Sequence, residues 1–211
     1  MGGAGVEFRL TYEGMLLAHR NDKRLPQRSL HVHAIRKKFQ TQLKNLWRSH
    51  PVLAHLEHPL IDLSVIAPHT KIEDNPVKSI ERYGYSWLPI VQRNNGLVCE
   101  LDILMLREGS PGGALHDIDN RLKTVFDALR MANGPQELGA GTPHGEQVAG
   151  PDEMPFCVLV EDDRLITKVS VATDMLLEPV PDVEDQNDAV RLVIGVTVRP
   201  YHVHLDNLAF S

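Results

Sequence analysis

Apolar and polar residues alternate from Phe8 to Leu17, with Phe8, Leu10 and Tyr12 on one side, which predicts a strand with one buried face. Polar residues from His19 to Arg28, including Pro26, follow as a loop. The period then lengthens. Val32, Ile35, Phe39, Leu43 and Trp47 recur at helical spacing, and Ser29 stands where an N-cap is wanted. A helix is therefore predicted from Ser29 to about His50, stopped by Pro51. Ile61, Leu63 and Val65 alternate with Asp62 and Ser64, predicting a strand from Leu60 to Ile66, and residues 67–85 read as an irregular connection. Ser86 to Arg93 and Leu97 to Arg107 are strand-like runs around Asn94-Asn95-Gly96, a hairpin-turn signal.

After a turn at Gly109 to Gly113, a second helix is predicted from about Asp119 to Ala132, with Leu122, Val125, Phe126 and Leu129 as its buried stripe. Asn133 to Pro155 holds five Gly and four Pro in twenty-three residues, the composition of a mobile loop. Phe156 to Val160 and Leu165 to Ala172 are apolar, β-branched runs on either side of Glu161-Asp162-Asp163. Residues 174–190 form an acidic connection without Lys or Arg, and Ala189 to Pro200 is the last strand. The order β-α-β-β-β-α-β-β-β predicts an α+β fold, a mixed sheet with two main helices. The chain reads as one domain over 1–211, with a basic strand-helix region at 1–60 and a Gly/Pro-rich insertion at 133–155.

Composition adds little to class but something to place. Charged residues are 24% and apolar ones 42%, ordinary for a globular protein. Cys99 and Cys157 sit in apolar runs far apart, as reduced buried thiols do, which points to the cytosol. No apolar run is long enough for a bilayer and no signal-peptide core is visible, so a cytoplasmic protein without a membrane partner is expected. Net charge is −6, yet residues 1–60 hold ten Lys and Arg against four Asp and Glu. Arg36, Lys37, Lys44 and Arg48 fall opposite the apolar stripe of the first helix, so that helix is the candidate phosphate-binding face.

Two acidic clusters carry the candidate chemistry: Asp117-Ile118-Asp119-Asn120 and Glu161-Asp162-Asp163. Each has a plain structural explanation, a helix cap for the first and a polar turn for the second. Together they offer more. Asp119, Lys123 and Asp127 fall at i, i+4 and i+8 on one helical face, apart from the apolar stripe. Convergent carboxylates are what hold Mg²⁺ against a phosphodiester, where the ion activates water and steadies the leaving oxygen.

The stretch from His116 to Leu129 resembles the RusA family of Holliday-junction resolvases, in which D-x-D-N-x-x-K-x-x-x-D-A-L is followed by an acidic pair and a strand. The resemblance lies within residues 97–173. It implies that Asp117, Asp119 and Asp163 bind the metal, Mg²⁺ with Mn²⁺ as the alternative, and that Lys123 is catalytic. Asn120 and Asp127 complete the motif around them, and Asp162 stands behind the metal ligands as the first of the acidic pair. It also implies a homodimeric endonuclease that resolves four-way DNA junctions by paired nicks, since two identical cuts suit two identical centres.

Other readings are narrower. Glycosyltransferases and aspartyl-phosphate phosphatases place D-x-D at the end of a hydrophobic strand, whereas Gly-Gly-Ala-Leu-His precedes it here. A non-catalytic DNA-binding module of the same fold is the main alternative. His202 and His204, or His31 and His33, read as ordinary histidines rather than zinc ligands, and Trp47 and Trp87 as core or interface.

Overall fold

The computed structural model describes residues 5–18, 25–53, 77–109, 118–138, 149–183, 186–203 and 205–211. Strands β1 (Val6–Met15), β4 (Leu97–Arg107), β6 (Ile166–Met175) and β7 (Ala189–Pro200) form one sheet in the order β1-β7-β4-β6. β7 runs antiparallel to both neighbours, and β6 runs parallel to β4. Strands β2 (Ile80–Arg82), β3 (Tyr85–Val91) and β5 (Phe156–Val160) form a second sheet, antiparallel between β2 and β3 and parallel between β3 and β5. The fold is α+β with mixed pairing. Its two long helices are α1 (Leu25–Ser49) and α2 (Ile118–Leu129), and residues 51–53 are again helical.

Two sheets where one was expected change the meaning of Asn94-Asn95-Gly96. The turn is real, with Arg93–Asn95 in a 3₁₀ turn and Gly96 left-handed at φ 62°. It does not close a hairpin: β3 and β4 lie in different sheets, and the turn hands the chain from one to the other. Buried Asn95 explains why. Its Oδ1 accepts from the amides of Gln92 and Leu97, and its Nδ2 donates to the Ile90 carbonyl, so the side chain replaces the ladder that a hairpin would supply. The hairpin lies at β2–β3 instead, where Tyr83 and Gly84 both have positive φ, 55° and 74°. That is the backbone a two-residue primed turn requires.

The inner face of the first sheet is apolar. Leu10, Tyr12, Leu101, Ile103, Met105, Leu192, Ile194 and Val196 bury against Val32, Ile35, Phe39, Leu43 and Trp47 of α1, so the stripe of α1 packs as its spacing predicts. β5 is buried along its whole length, as a continuous apolar run in a parallel pair should be. A smaller cluster of Tyr85, Trp87, Phe156 and Val158 closes against Met131, Ala132, Leu138 and Ala149. The last four come from the segment around the predicted loop at 133–155. That loop is therefore tied down on both sides, with 3₁₀ turns at Pro135–Leu138 and Pro151–Glu153, while 139–148 lie outside the described residues. The strand predicted at 60–66 also lies outside them. Cys99 and Cys157 are buried free thiols, and burial pushes the Cys99 pKa up to about 12.

Candidate functional site

Helix α2 is held at both ends by a buried arginine. In its first half, Arg121 donates to the carbonyls of Leu16 and Asn187 (both 3.0 Å) and to the Asp188 carboxylate (2.9 Å). Thr124 donates to the Leu17 carbonyl. At the far end Arg36 of α1 donates to the carbonyls of Asp127 (2.7 Å) and Arg130 (3.1 Å), placing a cation on the negative end of the helix. The buried set is Arg121, Thr124, Val125, Ala128 and Leu129. The predicted stripe is thus rotated: Leu122 and Phe126 are only half-buried at the core margin. Two polar residues take inner positions because strand-end carbonyls are there to receive them.

That rotation leaves Asp119 and Lys123 of the polar row exposed, one turn apart. The Asp119 Oδ1 accepts from the Asn120 amide at 2.8 Å. Asp127 does not face a free cleft, contrary to the expectation for this row. It is half-buried between Arg28 (2.8 Å) and Arg130 (2.7 Å). Arg130 continues to Glu137 (3.1 Å), whose other oxygen lies 3.4 Å from Arg36. Burial works against the charge on Arg130, but Glu137 and Asp127 outweigh it and keep the group protonated.

The second acidic cluster leaves β5. Asp162 caps the 3₁₀ turn Asp163–Leu165, accepting from the Arg164 amide at 3.0 Å, and takes the Arg93 guanidinium at 2.7 Å. Glu161 accepts from the Arg93 amide at 3.0 Å. Burial alone would raise the Asp162 pKa, but the Arg164 amide and Arg93 bring it below the ordinary range. Asp163 is pushed the other way, by burial first and then by its hydrogen bond with Asp162, with Arg130 opposing and the charge of Asp127 adding. The turn packs against α2, so two acidic segments far apart in sequence become neighbours.

Of the acids on α2, Asp127 is the one whose charge bears on Asp163. Asp119 lies eight residues before Asp127, about 12 Å along the helix axis. Asp117 falls outside the described residues. Among the described residues no group of three carboxylate, imidazole or thiol side chains stands ready as a metal cage.

The basic face of α1 needs correction. Arg36 is fully buried, because its guanidinium serves the carbonyls of α2 and Glu137, and burial lowers its pKa to about 10. Lys37 pairs with Glu153 at 2.5 Å, and Lys44 donates to the Asp152 carbonyl at 2.9 Å. The segment at 133–155 supplies both partners, so acids and carbonyls of that segment answer the cations of the helix. Arg48 is exposed in the last turn. His31 accepts from the Leu17 amide, while His33 is buried against Phe156 and Tyr85. His202 is exposed and His204 lies outside the described residues. Trp87 and Trp47 are core.

Sequence reasoning missed Arg93, Arg121 and Arg130. Only Arg93 carried a signal, as the cation of a turn opposite an acidic turn. A trough of about 550 Å³ on the outward face of the first sheet, lined by Glu7, Arg9, Asp102 and Gly195, lies apart from α2 and its acids. No described helix is long and apolar enough to cross a membrane. Comparison with protein-family models, with curated proteins and with solved structures finds no match.

Proposed function

We propose that the chain is a Mg²⁺-dependent DNA endonuclease of RusA type, acting as a homodimer on four-way junctions. The observation that carries the reading is the packing of the Asp162–Asp163 turn against the helix that begins with the D-x-D-N motif. The donor chemistry, not a formed cage among the described residues, is what suits a hard divalent ion. The residues offer oxygen donors, and Asp163 holds a carboxyl pushed up by burial and by Asp162, a strain that a bound cation relieves.

In this reading Asp117, Asp119 and Asp163 hold the ion, which when bound activates water and stabilises the departing oxygen. Lys123, one turn below Asp119, meets a phosphate oxygen. Asp162, fixed by Arg93 and the Arg164 amide, positions Asp163. Asp127 braces the helix end against Arg28 and Arg130. A non-catalytic DNA-binding module of the same fold is favoured by one observation: Asp127 and Asp162 are already neutralised by arginines.

Incubating the protein with a labelled four-way junction, in Mg²⁺ and in EDTA, separates the two. Paired symmetric nicks that vanish in EDTA support the nuclease. A folded protein that binds the junction and cuts it under no metal condition leaves the binding module.

A further inference from the structure

Arg36, Lys37 and Lys44 of α1 are engaged internally, while a group of exposed cations stands at one end of the first sheet. Register pairs Leu97 with Pro200, Val98 with Arg199 and Cys99 with Ile166, so the starts of β4 and β6 and the end of β7 share one end of the sheet. Two hydrogen bonds tie the chain beyond β7 to the 93–96 turn: the Tyr201 amide to the Gly96 carbonyl (2.8 Å), and Asn207 Nδ2 to the Asn95 carbonyl (3.0 Å). Arg93 in that turn reaches Asp162. A continuous surface therefore runs from Tyr201 through Arg93 to Asp163.

The layering of this surface decides what it can receive. Asp163 at its far end is exposed, while three of its acids lie low, the side chains of Glu161, Asp162 and Glu100 being 16, 17 and 22% exposed. The cations paired with them stand above: Arg93 60%, Lys168 70%, Arg164 86% and Arg199 47%. A polyanion meets guanidinium and ammonium groups first. Tyr201, whose amide is tied to the 93–96 turn, is 67% exposed, its ring edge-on to exposed His202 at 4.5 Å. A large exposed aromatic ring at the end of the sheet that also carries exposed cations matches unpaired nucleic acid, in which every base has a face to stack and every nucleotide a phosphate.

We propose that Tyr201 and His202, with Arg93, Arg164, Lys168 and Arg199, form a platform for a single-stranded stretch of DNA, leading it toward the Asp162–Asp163 turn. The proposal rests on the nuclease reading for its direction but not for its binding test.

The test is fluorescence anisotropy of labelled single-stranded oligo(dT) with the full chain in EDTA, where no cleavage occurs. Tyr201→Ala is expected to weaken binding by about 5- to 100-fold, while Tyr201→Phe, which keeps the ring, binds as wild type. Arg164→Ala is expected to lower the salt slope by about 0.7, the share of one phosphate contact on a single strand. Lys44→Ala on α1 should change neither. The proposal is overturned if the wild type does not bind the oligonucleotide, or if it binds and Tyr201→Ala binds equally well. Junction cleavage by the wild type together with unchanged Tyr201→Ala binding removes the platform and leaves the nuclease. Weakened Tyr201→Ala binding without any cleavage upholds the platform and removes the nuclease.

Discussion

The guanidinium of Arg36, fully buried in α1, donates to the main-chain oxygen of Asp127 at 2.7 Å. A residue placed by sequence on a DNA-facing surface instead closes the C-terminal end of the motif helix. The cost of burying its charge is met by two carbonyls and by Glu137, and its neighbour Trp87 lies 5.9 Å from the guanidinium carbon. The helix that bears Asp119 and Lys123 is thereby fixed to α1.

Arg36→Met should accordingly destabilise the fold by about 3 kcal/mol, because it strands buried acceptors and Glu137. Arg48→Ala, on the exposed last turn, should stay within about 0.5 kcal/mol. Urea unfolding of the two variants checks the contrast. Equal effects would return Arg36 to the surface.

Asn95→Ala should cost about 2–3 kcal/mol, since three hydrogen bonds at the crossing between sheets are lost and buried amides are left unpaired. Exposed Asn94→Ala is the control. Thermal or chemical unfolding reads both. Loss at Asn94 alone would mean that the turn works as a hairpin turn.

Acid should weaken the fold through His33. Its ring is buried first by desolvation, then faces Arg36 and Lys37, with Glu153 opposing, and its pKa falls from 6.5 to about 4. His31 is lowered in the same direction. The unfolded chain takes up these protons near 6.5 and the folded chain does not. Stability is therefore full above about pH 6.5 and declines as pH drops toward 4, by about 2–3 kcal/mol for His33. His33→Gln should flatten that decline in unfolding free energy measured across the range. An unchanged slope would show that other groups carry it.

Asp163 has the opposite linkage. Its pKa is raised in the folded state, so its ionisation subtracts stability above that pKa, and the deficit disappears as pH falls below the unfolded value. Without metal, Asp163→Asn should match or slightly exceed wild-type stability at pH 7, within about 0.5 kcal/mol because the group is solvent-exposed. Adding Mg²⁺ should then raise the melting temperature of the wild type and not of the variant. Calorimetric melts at both conditions test the pair.

What was legible in the sequence was what apolar periodicity encodes. The stripe of α1 and the bounds of β7 at Ala189–Pro200 emerged as read. What was hidden were polar residues turned inward. Arg36, Arg121 and Thr124 occupy buried positions because carbonyls from other elements wait there, and no local pattern announces such partners. For the same reason the acids of 133–155 looked like loop composition, when Glu137 and Glu153 are counter-ions for α1. For the acidic site, the Asp163–Leu165 turn packs against the motif helix and the charge of Asp127 bears on Asp163, an approach of distant segments that no local pattern encodes.

The central claim, that the acidic turn and the start of α2 act as one metal-dependent centre, is tested most directly by junction cleavage in Mg²⁺ by wild type, Asp119→Asn, Asp163→Asn and the remote control Asp174→Asn. The account predicts paired nicks by wild type and Asp174→Asn, and loss of cleavage in both other variants without loss of folding. Wild-type cleavage by Asp163→Asn, or none by any folded form, would contradict it.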